Sequence, residues 1–378
     1  MISLEDGSHD MWLDNLDAVP LSRKISDQQD ARTDADPDVV AEVLRVIIKN
    51  PWFVFVRRSL DEQTSNIILP TVFTSHLTVL IRDIVGIVCM ESEEDNKIAN
   101  LAEEALVAVV STKYICQWTP KDPFNGVLNI HAIVLKYISC ELLHCGSTER
   151  SRTMRLLRCM LCLLTNVNEY IGEEDLLRGA TSSTEVVYAL VHVAVSAAEA
   201  AILIHFCSGD TEIISLASTC LGALCIHNEY LGSIECRIVD SSGHSDKSVL
   251  DGLYVRPSSD VWPVYREMSA STGHILSIKL QQKSIRSYLS SMPCRTQGMN
   301  WALYAVMHRW VAFNKYILNS SNYPISQYQS VAFDEWTNYT GFLCALGDGL
   351  QSLQPPCTDD YLSPILCAAA TSDDVNMG

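Results

Sequence analysis

The chain has 378 residues and a mass of 42.0 kDa; 48% of its residues are hydrophobic and only 19% are charged. This composition is typical of a packed, folded protein and excludes a largely disordered chain. The formal net charge of −18 argues against electrostatic binding to nucleic acid or to an anionic membrane, since both depend on clustered Lys and Arg.

The first region, residues 1–37, is predicted to be an acidic, disordered tail. Residues 1–40 contain ten Asp or Glu against Arg23, Lys24 and Arg32. No basic segment followed by an apolar run opens the chain, and the longest apolar stretches are interrupted by polar residues before they reach about 18 residues. We therefore expect a cytoplasmic protein with no integral membrane segment, peripheral to membranes only through its partners.

The next region is predicted to be helical throughout. From Asp38 onward, apolar residues recur at spacings of three and four, the pattern of helices with one buried face. Several of these segments run about 20 residues with short connections, which favours an all-α fold, an irregular HEAT or armadillo-like α-solenoid of antiparallel helix pairs. The predicted helices are Asp38 to Lys49, Leu69 to Met90, Glu94 to Trp118, Val127 to Cys145, Glu149 to Tyr170, Thr184 to Phe206, Thr211 to Tyr230, Val264 to Leu289, Asn300 to Leu318 and Ser326 to Leu346.

A weak internal repeat agrees with a stack of similar helix pairs. The segment Leu164 to Ile171 aligns with Leu224 to Leu231, and both contain Asn-Glu-Tyr. The apolar residues upstream of the two segments keep the same phase. A chance similarity between two amphipathic helices is the alternative, and the sequence leaves it open.

Composition divides the chain further. The helical body is predicted over residues 38–231, with a continuation over residues 264–350. Residues 232–263 contain clusters rich in Ser, Gly, Asp and Pro, which we interpret as a loop or hinge excursion from the stack. Residues 351–378 are predicted to be a frayed tail.

The fourteen cysteines are scattered singly along apolar segments, which indicates reduced core residues and not a disulfide framework. Cys159 and Cys162 form the only Cys-x-x-Cys pair, and it lacks the second ligand pair that a zinc site needs. We interpret both as buried structural residues. Two further groups could supply metal ligands but are also common in helical cores, the interpretation we favour: Cys140 with His144, and Cys220 and Cys225 with His227.

The chain carries none of the usual catalytic signatures. It has no Gly-rich phosphate loop, no His-Glu-x-x-His and no Gly-x-Ser-x-Gly. We predict that it is not an enzyme, that it has no catalytic, cofactor-binding or metal-binding residues, and that its partners are proteins. The arginines 152, 155 and 158 lie on one side of a predicted helix and could dock an acidic partner, although a solvated face is favoured. Trp301 and Trp310 are expected in the core.

The helix predicted near the end of the chain has residue choices that go beyond what burial requires. Five of its residues form one apolar face at spacings of three and four, and a glycine lies among them. Because glycine inside a helix costs roughly 1 kcal/mol, we expect it to permit close approach of a neighbouring helix. This predicted packing or interaction motif consists of Trp336, Tyr339, Gly341, Phe342, Leu343 and Leu346.

The same stretch, Glu335 to Gly347, resembles the segment Glu-Trp-x-Asn-x-Thr-Gly-Phe-Leu-Cys-Ala-Leu-Gly of neurofibromin and its fungal Ras-inhibitory relatives. Ile68 to Leu77 and Asn300 to Trp310 are similar only in apolar pattern to the helical region that precedes the catalytic part of that family. The resemblance implies a scaffold segment of a Ras GTPase-activating protein, a role in negative regulation of Ras signalling, and a homodimer built by helical arms.

The family's catalysis depends on an arginine finger and a Phe-Leu-Arg signature in a separate helical domain. That domain is not found in this chain. The resemblance therefore implies a non-catalytic segment that does not stimulate GTP hydrolysis by itself. A generic HEAT or armadillo adaptor for protein–protein interactions is the alternative.

Overall fold

The computed structural model describes residues 37–49, 80–90, 96–113, 115, 123–146, 149–172, 184–242, 260–319 and 327–348. Every regular element in these ranges is a helix, and they contain no strand. The fold is therefore all-α, as the apolar periodicity predicts. The expected tail 1–37 lies outside the described residues except for Pro37, which begins the first described helix. The expected tail 351–378 and the segment Ile68 to Leu77 also lie outside them.

Eleven helices form the described part of the chain. In chain order they are α1 (Pro37–Lys49), α2 (described over residues 80–88), α3 (Asn96–Val109), α4 (Pro123–His144), α5 (Arg150–Gly172), α6 (Thr184–His205), α7 (Thr211–Ser242), α8 (Val261–Thr272), α9 (Ile278–Ser290), α10 (Gln297–Asn319) and α11 (Gln327–Asp348).

The helices pack in two layers. One layer runs α4, α6, α10 and α11, and the other runs α3, α5, α7 and α8, each helix contacting the next in its layer. The hairpin α4–α5 stacks on the hairpin α6–α7, first helix on first helix and second on second. The helices α5 and α7, which carry the aligned Asn-Glu-Tyr segments, therefore occupy equivalent positions. At the far end, α9 contacts α8 and α11.

The core is centred on α6. This helix is apolar on nearly all sides, and a helix of that kind is stable only when it is surrounded. It contacts α4, α7 and α10. Between Val191 and Ile204 most of its side chains are buried, many of them alanines that let the neighbouring helices come close.

Three predicted helix boundaries are wrong. The helix expected over Glu94 to Trp118 ends at Val109, where the chain turns. The helix expected to end at Tyr230 continues to Ser242, into the range interpreted as a loop, because one glycine at position 232 costs only about 1 kcal/mol in a helix with apolar residues beyond it. The single helix expected over Val264 to Leu289 is two helices, α8 and α9. Gly273 caps the first, and the chain turns before the second begins.

One stretch of the described residues, Gly126–His144 in α4, is long and apolar enough to cross a membrane. This corrects the expectation that no apolar run reaches that length. Of this stretch, 56% is buried inside the protein, where α4 packs against α6.

Candidate functional site: the groove between α9 and α11

The apolar residues predicted on α11 divide between the core and a groove. Tyr339, Phe342 and Leu346 are buried, with 7%, 2% and 3% of their surface exposed. Leu343 is half-buried and packs against the same core. Trp336 is only partly covered and lines a groove on the outer side of the helix. The predicted apolar face therefore packs into the core along most of its length, and Trp336 at one side of it is partly open to solvent.

Gly341 lies directly beneath an arginine of α9. A Cβ atom added at this position would be 2.8 Å from Nη1 and 2.9 Å from Cδ of Arg286. Real Cβ contacts are longer than this, so alanine here would displace the guanidinium group. The glycine thus lets Arg286 lie flat across α11.

Two polar residues of α11, Asn338 and Thr340, form hydrogen bonds that connect this helix to other parts of the fold. Asn338 donates from Nδ2 to the carbonyl of Cys207 at 3.1 Å, just beyond the end of α6. Thr340 Oγ1 accepts a hydrogen bond from Nε1 of Trp310 at 3.1 Å and donates to the carbonyl of Trp336 at 2.9 Å. The last carbonyls of a helix have no partner within it, so such donors fix both the helix end and the helix that supplies them.

Arg309 on α10 joins the end of α4 to α11. Its Nη2 donates to the carbonyls of Leu143 and Cys145 at 2.7 and 2.6 Å, and its Nη1 donates to the hydroxyl of Tyr339 at 3.2 Å. Cationic donors at a helix C-terminus also complement the negative end of the helix dipole. The Asn-Tyr-Thr-Gly run of α11 is thereby explained residue by residue.

Two more side chains complete this set of helix-end contacts. Gln282 on α9 donates from Nε2 to the carbonyl of Phe206 at 2.5 Å. His205, the last residue of α6, donates from Nε2 to the carbonyl of Leu142 at 3.0 Å. Burial, with a smaller contribution from the charge of Arg309, lowers the pKa of His205 to about 3, so the imidazole is neutral.

The groove itself runs between α9 and α11 and has a volume of about 420 Å³. Its floor is made of small and apolar groups of α11, and its wall on the α9 side carries a guanidinium group. This combination suits a ligand that has both an apolar side chain and a negative charge. The lining residues are Arg286, Ser290, Trp336, Thr337, Thr340, Gly341, Cys344 and Ala345.

A second open groove, also of about 420 Å³, crosses α5, α7 and α8. It is lined mainly by Ser, Thr, Gly and Ala, with Leu161, Ile226 and His274. No Asp, Glu, Lys or Arg lines it, so nothing charged is present to orient a ligand. The α9–α11 groove is therefore the better candidate site.

The exposed side of α9 is cationic. Lys279, Lys283 and Arg286 are exposed and recur at helical spacing; we call them the cationic strip. No Asp or Glu occurs anywhere between Glu267 and Asp334, although the whole chain carries a net charge of −18. This acid-free stretch is the sequence signal that could have identified the strip, and the sequence analysis did not use it.

The prediction that the arginines of α5 form a solvated face is wrong for Arg152 and Arg155, whereas Arg150 and Arg158 are about half exposed. Arg155 is buried, and its guanidinium group donates to the carbonyls of Val88 and Met90, at the end of α2, and to Oδ1 of Asn96. The other three arginines form ion pairs within the protein: Arg150 with Asp210 and Glu212, Arg152 with Glu141 and Glu149, and Arg158 with Glu103. The stripe is thus committed to internal contacts.

The predicted cysteine assignments mostly hold. Cys159 is buried and Cys162 half-buried, and the cysteines whose side chains the structure describes are free thiols; Cys344, in the groove, is exposed and not a core residue. Burial raises the pKa of Cys140 to about 11, and the ring of its predicted partner His144 instead binds the carbonyl of Cys140. In the described part of the chain, no group of three or more His, Cys, Asp or Glu could hold a metal ion.

A buried carboxyl group lies where α6 meets α8 and the start of α10. Glu199 is 1% exposed, and its Oε1 accepts hydrogen bonds from the hydroxyls of Tyr265, at 2.7 Å, and Thr296. Thr296 also caps α10, accepting from the backbone N–H of Met299 at 3.0 Å. Burial raises the pKa of Glu199 to about 7, although both hydroxyl donors act in the opposite direction. Its hydrogen-bond partners are two hydroxyl groups that hold α8 and the start of α10, so we assign Glu199 to structure.

A second buried polar cluster joins α4, α5 and α7. Nδ1 of His227 donates to Oδ1 of Asn168 at 3.0 Å, and its ring lies 4.8 Å from the ring of His131. Burial, with a smaller contribution from His192, lowers the pKa of His227 to about 3. Burial and the neighbouring His227 also depress the pKa of His131. Both imidazoles are therefore neutral packing residues.

Comparison with known proteins adds no assignment. No family model matches the chain, and no curated protein matches it in sequence.

Proposed function

We propose that this chain is a non-catalytic helical scaffold segment of a neurofibromin-like Ras GTPase-activating protein, acting in negative regulation of Ras signalling in the cytoplasm. The observation that carries the proposal is α11. Its Glu335 to Gly347 segment resembles that family, and the residues that make it unusual serve helix packing and line an open groove. A scaffold role explains these residues without any chemistry.

The helix arrangement supports the same proposal. Stacked hairpins in two layers, α4–α5 on α6–α7, are the building pattern of HEAT and armadillo proteins, and we propose an irregular solenoid of that type. Such folds act by presenting surfaces to other proteins. A homodimer through the helical arms belongs to this proposal, and so does the α9–α11 groove as a protein-binding surface.

Two measurements test the catalytic and assembly parts. In single-turnover assays, an excess of the purified chain should leave GTP hydrolysis by Ras at its intrinsic rate, while an isolated activating domain with its arginine finger accelerates it. Acceleration by this chain would overturn the non-catalytic assignment. Light scattering should give twice the chain mass of 42.0 kDa, and a monomer at all concentrations would remove the dimer.

The second candidate function is a generic HEAT or armadillo adaptor. The hairpin stack supports it as well as it supports the first, since that stacking carries no information about Ras. Sequencing the transcript beyond the codon for Gly378 separates the two. Continuation into a helical domain with a Phe-Leu-Arg signature would favour the Ras regulator, and a stop codon would favour the adaptor.

A further inference from the structure

The cationic strip borders the α9–α11 groove, because Arg286 belongs to both. Lys279, Lys283 and Arg286 follow one another at intervals of four and three residues, so their side chains lie on one face of α9. The groove beside them presents Trp336 and Ala345 from α11. Together they form one surface with a positive edge and an apolar floor.

Within the described part of the chain, the strip has no acidic partner. The six arginines 45, 82, 150, 152, 158 and 266 all form ion pairs there. By contrast, Arg286 donates only its Nε, to the carbonyl of Gln282 in its own helix at 3.1 Å. An uncompensated positive strip on a chain with a net charge of −18 attracts an acidic group.

An acidic segment with matching spacing occurs in the same chain, outside the described residues. Asp10, Asp14 and Asp17 follow one another at intervals of four and three, as the three cations of α9 do. Trp12, Leu16 and Val19 repeat the same intervals, and Pro20 ends the pattern, so a helix formed on docking would carry the acidic and the apolar residues on separate sides.

We propose that residues 10–19 dock on the α9–α11 groove, with the three aspartates against the cationic strip and the apolar side, led by Trp12, on the groove floor. Residues 20–36 connect this segment to α1 and can span up to about 55 Å when extended, which gives the segment wide access to the surface. The proposal concerns an occupant of the groove within the chain and does not depend on the role in Ras signalling.

Each ion pair of the proposed interaction is weak, and the three ion pairs and the apolar contact together stabilise the docking. An exposed ion pair contributes roughly 0.2–1 kcal/mol, and the apolar anchor adds the burial of an aromatic side chain. Because the charges stay near solvent, salt weakens the docking: the screening length falls from about 10 Å at 0.1 M to about 3 Å at 1 M. Salt sensitivity is therefore a signature of the proposed contact.

The test is zero-length carbodiimide crosslinking of the full-length chain, which joins a carboxylate to a lysine amine only when they touch. Mass spectrometry of the digest should find Asp10, Asp14 or Asp17 joined to Lys279 or Lys283. The yield should fall about tenfold in 1 M NaCl, and it should also fall in Arg286→Glu, which keeps both lysines. The triple Glu variant Lys279→Glu/Lys283→Glu/Arg286→Glu has no amine left to link and serves as the background for a charge exchange. Mixing isotopically distinct chains shows whether the segment docks on its own copy or on a second one.

Charge exchange and a matched control make the test specific. Adding Asp10→Lys/Asp14→Lys/Asp17→Lys to the triple Glu variant should restore the links with reversed polarity, since each lysine again faces a carboxylate. Lys97→Glu, which alters an exposed lysine of α3, should leave the native links unchanged. The proposal is overturned if the strip crosslinks only to other carboxylates, such as Asp359 or Asp360, or if the exchange fails to restore the links.

Discussion

The hairpin stack α4–α7 and the terminal helices α8–α11 are held together in different ways. In the stack, long apolar faces meet around α6, and the arginines of α5 are used in ion pairs and in the cap of α2. The terminal helices have fewer fully buried apolar residues in the described part, and side chains such as Gln282, Arg309 and Asn338 attach them to helix ends. Apolar stacking tolerates many sequences, whereas such caps need particular residues.

The two regions also differ in their buried ionisable groups. Inside the stack, burial lowers the pKa of His227 to about 3. At the junction with the terminal helices, burial raises the pKa of Glu199 to about 7. Buried neutral histidines resist protonation, and a buried carboxyl group resists ionisation. Lowering the pH therefore destabilises the stack, and raising the pH destabilises the junction with the terminal helices.

The largest expected effect comes from removing a core residue of α11. Phe342→Ala should lower the free energy of unfolding by about 3–5 kcal/mol, because it leaves a cavity at a site that is 2% exposed. Trp336→Ala, on the groove side of the same helix, should cost at most about 2 kcal/mol, since part of its surface is already in water. Urea unfolding followed by circular dichroism checks both. Equal costs would show that the groove side is as tightly packed as the core side.

Glu199→Gln should stabilise the protein in a pH-dependent way. The pKa of Glu199 is about 7 in the folded protein against the ordinary value of 4.5 for a glutamate, so between these values the folded state binds more protons than the unfolded state. Stability from this group is present below pH 4.5 and is lost as the pH rises to 7. The variant should therefore be about 3 kcal/mol more stable than the native chain at pH 8 and equal to it near pH 4.

The histidines act in the opposite direction. Because the folded-state pKa values of His205 and His227 are about 3 against the ordinary value of 6.5 for a histidine, the stability that depends on them is lost as the pH falls below 6.5. In Glu199→Gln this acid loss is unopposed, and the free energy of unfolding should fall more steeply between pH 6.5 and 4.5 than in the native chain. A difference between the two proteins that does not vary with pH would contradict the assignment.

Two arginines of the terminal helices differ in role: Arg309 caps the end of another helix, and Arg286 is exposed. Arg309→Met should cost about 2 kcal/mol, because the carbonyls of Leu143 and Cys145 and the hydroxyl of Tyr339 lose their charged donor. Arg286→Met, a matched change of the exposed arginine above Gly341, should alter stability by less than about 0.5 kcal/mol. Thermal unfolding of the two variants side by side is the measurement. A large cost for Arg286 would assign it a structural role as well.

The sequence predicts the all-α class and most helix positions, because a helix with one buried face has apolar residues at spacings of three and four, and this spacing is visible in the sequence. It also identifies the buried side of α11. It misses the extension of α7 to Ser242, because clusters rich in Ser, Gly, Asp and Pro suggested a loop over residues 232–263, whereas the apolar residues at the start of that range continue the helix. It misses the turn after Gly273 for the converse reason: the apolar spacing continues on both sides.

The candidate site is less predictable because its polar side chains bind residues that are distant in the sequence. Asn338 donates to a carbonyl at position 207, and Arg309 donates to carbonyls at positions 143 and 145. The spacing of residues along a helix shows on which face a side chain lies, but it does not show which residues that side chain contacts. The same limit explains why the arginines of α5 were expected to be solvated.

The smallest expected effect tests whether a surface ion pair of the stack contributes at all. Arg158 binds Glu103 through two hydrogen bonds of 2.8 Å, linking α5 to α3, but 47% of the arginine side chain remains exposed. A double-mutant cycle with Arg158→Met and Glu103→Gln should give a coupling free energy of about 0.5 kcal/mol, which falls further in 1 M salt. A coupling as large as the cost of Arg309→Met would mean that specific polar contacts stabilise the stack as strongly as they stabilise the terminal helices.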